Sequence, residues 1–117
     1  MQRTVLIVDD HAEFRSSARA LLEADGWVVA GEAGGGAEGL DLAASLRPDV
    51  VLLDIALPDL DGFAVAAALA TSPFPPAVIL VSSRERAVYG RRLGGAPIVG
   101  FLPKGSLSGA AVRALLP

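Results

Sequence analysis

Val5-Leu6-Ile7-Val8, followed at once by Asp9-Asp10-His11, is the stretch whose reading decides the fold. Unbroken aliphatic residues rich in Val and Ile describe a strand buried on both faces, as in a parallel sheet. The abrupt change to two acids marks where that strand emerges. The same pattern recurs down the chain. Val50-Val51-Leu52-Leu53 ends in Asp54, Val78-Ile79-Leu80-Val81 ends in Ser82-Ser83, and Ile98-Val99-Gly100-Phe101-Leu102 ends in Pro103-Lys104. A further run from Trp27, WVVAGEA, mixes small and polar residues and reads as an edge strand.

Segments with helical spacing separate these runs. They carry Phe14, Ala18, Leu21 and Leu22; Ala37, Leu40 and Ala44; Phe63, Ala66, Ala67 and Ala70; Val88 and Leu93; and Leu107, Ala111 and Leu115. Asp25-Gly26, Arg47-Pro48-Asp49, Ser72-Pro73 and Pro75-Pro76 punctuate the boundaries. Gly34-Gly35-Gly36 reads as the loop between the second strand and the second helix. Five strand-then-helix repeats predict right-handed crossovers and an α/β fold, a three-layer αβα sandwich with five parallel strands and five helices.

A length of 117 residues accommodates one domain, residues 1–117, with no room for an added catalytic or DNA-binding module. With 52% hydrophobic residues the chain can bury a full core. Its net charge of -3 offers no overall attraction to nucleic acid or to an anionic membrane. The absence of Cys and the presence of one His argue against a disulfide framework, a thiol nucleophile or a zinc site. No aliphatic run approaches the ~20 residues that span a bilayer, and no secretory pattern opens the chain, so a cytoplasmic location is expected. Nine of the ten basic residues are Arg, and Lys104 is the single lysine.

In an open parallel sheet, ligands bind beyond the carboxyl ends of the strands, where the strand order reverses. With order 2-1-3-4-5, Asp9, Asp10 and Asp54 share one pocket at that point, and Ser82 and Lys104 stand beyond it. Crowded carboxylates repel unless a cation intervenes, and hard oxygen ligands without His or Cys suit Mg²⁺. An ammonium and a hydroxyl opposite the metal leave a position for a dianionic phosphoryl group. The chemistry implied is phosphoryl transfer onto a carboxylate.

The stretches VLIVDDH, VVLLDIALPDLDGF, VILVSS and GFLPKGSLS, in that order and spacing, resemble the receiver domain of bacterial two-component response regulators over essentially the whole chain. The pattern is most similar to receivers that carry a helix-turn-helix output domain. The resemblance implies a flavodoxin-like fold and a phosphorylation-dependent switch that accepts a phosphoryl group from a histidine kinase. Asp54 would be the phosphoacceptor, Asp10 a direct Mg²⁺ ligand, Asp9 a ligand through water, and the Ala56 backbone carbonyl the remaining protein ligand. Ser82 would contact the phosphoryl group, Lys104 would face it, and Phe101 would be the aromatic that changes rotamer. The output face would be the fourth helix, fifth strand and fifth helix, where Arg84, Arg86, Arg91 and Arg92 cluster. The kinase would dock near the first helix, the readout would be transcriptional through an attached or separate module, and a homodimer formed on phosphorylation is compatible with the pattern. Two features depart from the commonest receivers: Phe101 stands where Tyr is frequent, and Pro103 precedes Lys104 where many receivers place a Pro after it.

Other features receive plainer readings. Asp59 and Asp61 read as loop and cap residues, His11 as a solvated loop residue, and Arg15 with Arg19 as a solvated face or a kinase-docking one. Tyr89 reads equally as packing or interface on the fourth helix. Gly34-x-Gly36-x-x-Gly39 matches a dinucleotide fingerprint but follows an edge strand. No phosphate loop of the G-x-x-x-x-G-K-[ST] type is present, which excludes an ATPase. Two alternatives remain: a small Mg²⁺-dependent phosphatase with Asp54 as transient nucleophile, disfavoured because Ala56 stands where a second acid is needed, and a receiver acting through protein contacts alone.

Overall fold

The computed structural model describes residues 3–117. Five parallel strands, β1 (Thr4–Val8), β2 (Val28–Ala33), β3 (Val50–Asp54), β4 (Ala77–Ser82) and β5 (Gly100–Pro103), form one sheet of order β2-β1-β3-β4-β5. Between them run α1 (Ala12–Ala24), α2 (Gly36–Leu46), α3 (Gly62–Ala70) and α4 (Arg91–Gly95), and α5 (Gly109–Leu115) closes the chain. The αβα sandwich and its strand order agree with the expectation from sequence.

Side chains alternate faces along a strand, and the continuous aliphatic runs therefore feed two cores at once. Val5, Ile7, Val50, Leu52, Ile79 and Val81 pack with Ala18 and Leu22 of α1 and Val112 of α5. Leu6, Val8, Val51, Leu53, Val78 and Leu80 pack on the opposite face with Ala43, Val65, Ala66, Leu69 and Leu93. At about 25 cal/mol per Å² of apolar surface, these fully buried strands supply most of the driving force for folding.

Element boundaries differ from the periodicity in three places. The predicted fourth helix is broken into a 3-10 turn over Arg86–Val88 and the five-residue α4. Gly90, at φ +51°, interrupts it, and Gly94, Gly95 and Pro97 leave little to propagate a helix. Tyr89 therefore lies between the two pieces rather than within a helix. The fifth strand begins at Gly100 rather than Ile98, and Leu107 precedes α5, which starts after the N-cap Ser108 accepts from the Ala111 N–H at 2.9 Å. The Leu102–Pro103 bond is trans.

Candidate functional site

The strand ends converge on one rim. Asp9 follows β1 directly and is pinned by its N–H donating to the Ala33 carbonyl at 3.0 Å. Asp54 is the last residue of β3, paired in register with Val81, and Ser82 pairs with Pro103. Asp9, Asp54 and Ser82 are the buried polar side chains among the described residues, at 0%, 4% and 4% exposure. Burial of polar and charged groups is costly and needs compensation.

Lys104 provides part of that compensation. Its Nζ lies 2.6 Å from Asp9 Oδ2 and 3.6 Å from Asp54 Oδ2, and it rests 4.5 Å from the centre of the Phe14 ring. Phe14 thus does more than fill the core stripe of α1: its face borders the ammonium. Despite the short ion pair, Asp9 Oδ2 accepts no well-directed hydrogen bond. Burial, with the neighbouring Asp9 carboxylate adding to it, pushes the Asp54 carboxyl above its ordinary value. Lys104 and the Ala56 N–H, which donates to Asp54 Oδ1 at 3.3 Å, oppose that rise.

Ligand atoms of Asp9, Asp10, His11 and Asp54 all lie within 4.8 Å of one another. His11 is largely solvated, as expected, yet its Nδ1 lies 3.0 Å from Asp9 Oδ1 and 3.2 Å from Asp10 Oδ1, and its N–H donates to Asp9 Oδ1 at 2.8 Å. Clustered carboxylate oxygens, one of them buried without a directed donor, fit a hard divalent cation such as Mg²⁺. Ala56 is held in the loop after β3 by an antiparallel bridge to Asp61.

The rest of the predicted set divides. The Ser82 hydroxyl is engaged away from the acids, in a short hydrogen bond with Tyr89 Oη, and accepts from the Arg84 N–H at 3.0 Å. Phe101 is buried, with its ring 5.8 Å from that of Tyr89 and 5.5 Å from the Arg86 guanidinium. The four clustered arginines are exposed. Arg92 folds back on α3, donating to Asp61 at 2.8 Å above the Phe63 ring.

Arg15 and Arg19 are neither a free face nor idle. Both pair with Glu32 on β2, at 3.2 and 2.7 Å, and Arg15 Nη1 also donates to the Asp9 carbonyl at 2.6 Å. Arg15 therefore ties the acidic loop to the edge strand, a role that i, i+4 spacing alone does not reveal. Asp61 caps α3 through the Phe63 N–H at 2.7 Å. Asp59 caps a different helix, α2, accepting from Gly36 and Ala37 N–H at 2.8 and 3.0 Å. Two backbone donors of the Gly34–Gly39 stretch thus meet a carboxylate of their own chain.

Comparison with known proteins gives a consistent result. The model of the response regulator receiver domain matches residues 5–115. BvgA of Bordetella pertussis is 36% identical over 104 residues, which cover 89% of this chain and 50% of BvgA. NarL of Mycobacterium tuberculosis is 40% identical over 115 residues, covering 96% and 52%. Both carry names of transcription regulators, and the chain spans about half the length of these curated relatives. The solved receiver domain of NarL superposes with a TM-score of 0.82 at 36% identity, over 97% of this chain and 96% of that one.

Proposed function

Since the chain belongs to the response regulator receiver domains, a family of phosphoacceptor switches, we propose that Asp54 is its phosphoacceptor and that residues 1–117 act as one switching domain. The observation that carries this reading is the buried set itself: Asp9, Asp54 and Ser82 at one rim, with the single lysine 3.6 Å from Asp54. An interior that spends stability on polar groups does so where chemistry needs them.

In the step proposed, an Asp54 oxygen forms a bond to phosphorus as the N–P bond of a phosphohistidine breaks and the imidazole leaves to take up a proton. The reaction passes through a loose transition state. Asp10 and Asp54, with Asp9 and the Ala56 carbonyl, would hold Mg²⁺, which when bound neutralises charge developing on the phosphoryl oxygens. Lys104 supplies the fixed positive charge opposite. Phe14 and the Asp9 pairing hold that ammonium in place, so it need not reorganise during transfer. Ser82 donates to the new phosphoryl group, and Phe101 and the 84–103 region carry the change outward.

The donor is a histidine kinase docking beside α1, and the readout is transcriptional through the face of α4, β5 and α5. Relatives named as transcription regulators, and the exposed arginines of that face, support this assignment. The domain itself turns over nothing beyond its own phosphoryl group. Incubation with Mg²⁺ and acetyl phosphate should add one phosphoryl group by intact mass, lost in Asp54→Asn and in EDTA. Multiple turnovers on a phosphate ester would favour the phosphatase reading, and an adduct that survives Asp54→Asn would remove the assignment.

A further inference from the structure

Tyr89 is the one tyrosine of the chain, and it stands between the buried rim and the irregular segment after β4. The described hydrogen-bond partners of the Ser82 hydroxyl, Tyr89 Oη and the Arg84 N–H, both lie in that segment. A Ser82 Oγ that turns from that segment towards a phosphoryl group on Asp54 leaves both partners, whichever of Ser82 and Tyr89 donates the proton they share. The phenol has no other described partner within the protein.

The ring of Tyr89 is half-buried and packs on two others, 5.8 Å from Phe101 of β5 and 6.2 Å from Phe63 of α3. It therefore joins the rim to both flanks of α4. Besides buried Leu93 and the Arg86 and Arg92 contacts with Phe101, Asp61 and Phe63, the backbone of this segment is irregular. Gly90, at positive φ, follows Tyr89 directly, α4 is five residues long, and side chains added at Gly94 or Gly95 would meet nothing within 4 Å. Phe101 has no hydroxyl, so the phenol of this switch is carried by a residue on the moving side.

We propose that Tyr89 is a positioning residue that latches Ser82 in the unphosphorylated chain, and that phosphoryl capture by Ser82 releases Tyr89 and with it residues 86–95. The proposal rests on Asp54 being the phosphoacceptor. The latch opposes capture, because the Ser82–Tyr89 bond is broken before its replacement forms. It also couples capture to the output side, since the freed ring loses its hydrogen bond to the end of β4.

Two measurements test it, and they separate the latch from the acceptor reading. In metal-free, donor-free protein carrying ring-labelled tyrosine, the Cζ resonance of Tyr89 should shift in Ser82→Ala and return towards its original position in Ser82→Thr. With acetyl phosphate and Mg²⁺, the P–O bond to acetate breaks as Asp54 gains the phosphoryl group. There Tyr89→Phe, which keeps the ring, should raise the labelling rate about three- to tenfold, the scale of one hydrogen bond. In a Ser82→Ala background the same substitution should change nothing. An unshifted Cζ resonance overturns the latch whatever Asp54 does. So does a Tyr89→Phe rate equal to wild type, or an equal acceleration without the Ser82 hydroxyl. If wild-type protein takes up no phosphoryl group while the resonance still shifts, the acceptor reading falls, and the role of the latch in capture falls with it.

Discussion

Gly62→Ala should be among the most damaging single-methyl additions to this chain. Gly62 opens α3, and its N–H donates to the Ile55 carbonyl at 2.8 Å, binding the helix start to the end of β3. A Cβ there would stand 2.6 Å from the Asp54 carbonyl oxygen, 2.7 Å from Ile55 Cα and 3.1 Å from the Ile55 oxygen. These are all backbone atoms, so no rotamer change relieves the clash. Carbon contacts settle near 3.5–4.0 Å, which requires a shift of about 1 Å between α3 and the end of β3. Overpacking costs roughly 1–3 kcal/mol, and the backbone character of the contact puts this case at the upper end, about 3 kcal/mol. For a domain of this size that corresponds to a drop in Tm of roughly 10–15 °C. Two other glycines calibrate the scale. At Gly39 the new methyl would meet Val8 methyls at 3.0 Å, and at Gly105 nothing lies within 4 Å. Gly39→Ala should cost about 1 kcal/mol and Gly105→Ala less than about 0.5 kcal/mol. Urea unfolding, followed by fluorescence of the single Trp27 and by circular dichroism, measures all three. Gly62→Ala within about 0.5 kcal/mol of Gly105→Ala would refute the reasoning. The displaced Asp54 backbone should also slow labelling by acetyl phosphate at least about tenfold.

Asp54→Asn should stabilise the chain in EDTA at neutral pH, raising its urea midpoint above that of wild type. The folded state binds the Asp54 proton more tightly than the unfolded state, so wild-type stability declines as pH rises from the ordinary carboxylate range through the raised folded value. The gain must therefore vanish towards acid pH, and urea midpoints showing it at pH 4 but not at pH 7 would contradict this. Asp59 is held below its usual value by the Ala37 and Gly36 N–H groups, so its cap persists above the ordinary carboxylate range and is lost as pH falls through the lowered value. Asp59→Ala should accelerate hydrogen exchange at those two amides about tenfold, and unchanged exchange would discard the cap. Arg92→Ala removes a half-exposed contact to Asp61 and a stacking on the partly buried Phe63. Its cost should stay within about 1 kcal/mol, and a loss beyond about 2 kcal/mol would mean the pair is stronger than a surface one.

The strands were legible because burial on both faces leaves an unambiguous mark: no polar residue interrupts Val5–Val8 or Val50–Leu53, and each run stops where the sheet does. Their order enters the sequence reading as a premise, and the pocket of acids expected from it forms because β1 and β3 are neighbours. The fourth helix is shorter than the sequence suggests, because Val88 and Leu93, five residues apart, share no helix face and the positive φ of Gly90 is a backbone property that periodicity does not register. Asp59 and Asp61 read together as loop and cap residues, but the groups Asp59 caps lie 22 and 23 residues earlier in the chain. Local spacing carries no information about such a pairing. Phe14 and Arg15 escaped notice for a similar reason. Each has an ordinary helical explanation, an apolar stripe and a charged face, and acquires its second role only when α1 is laid against Lys104 and the Asp9 carbonyl. Tyr89 was undecidable in sequence because its partner, Ser82, lies across a turn whose path is irregular.

The electrostatics of the rim explain why one lysine suffices there and why it cannot act alone. At an effective dielectric near 20, Lys104 at 3.6 Å attracts Asp54 by about 4.6 kcal/mol, while Asp9, with its ligand oxygen no more than 4.8 Å away, repels it by at least about 3.5 kcal/mol. The two terms nearly cancel, so the Asp54 carboxyl is governed by burial, in keeping with its upward shift. Lys104 is also shared, standing nearer to Asp9 than to Asp54. With Asp10 included, three carboxylates face one ammonium and two negative charges remain unbalanced. A divalent cation balances them and a monovalent one does not. Arginine would deliver the same single charge, but its planar fork favours one carboxylate bidentately, whereas a compact ammonium can stand between two. The site is thus arranged so that neither charge is sufficient. Without the divalent ion Asp54 is held back by burial and by Asp9, and without Lys104 the Ala56 N–H is left to oppose that rise among the described groups, so the acidity of Asp54, on which the proposed transfer depends, rests on both charges.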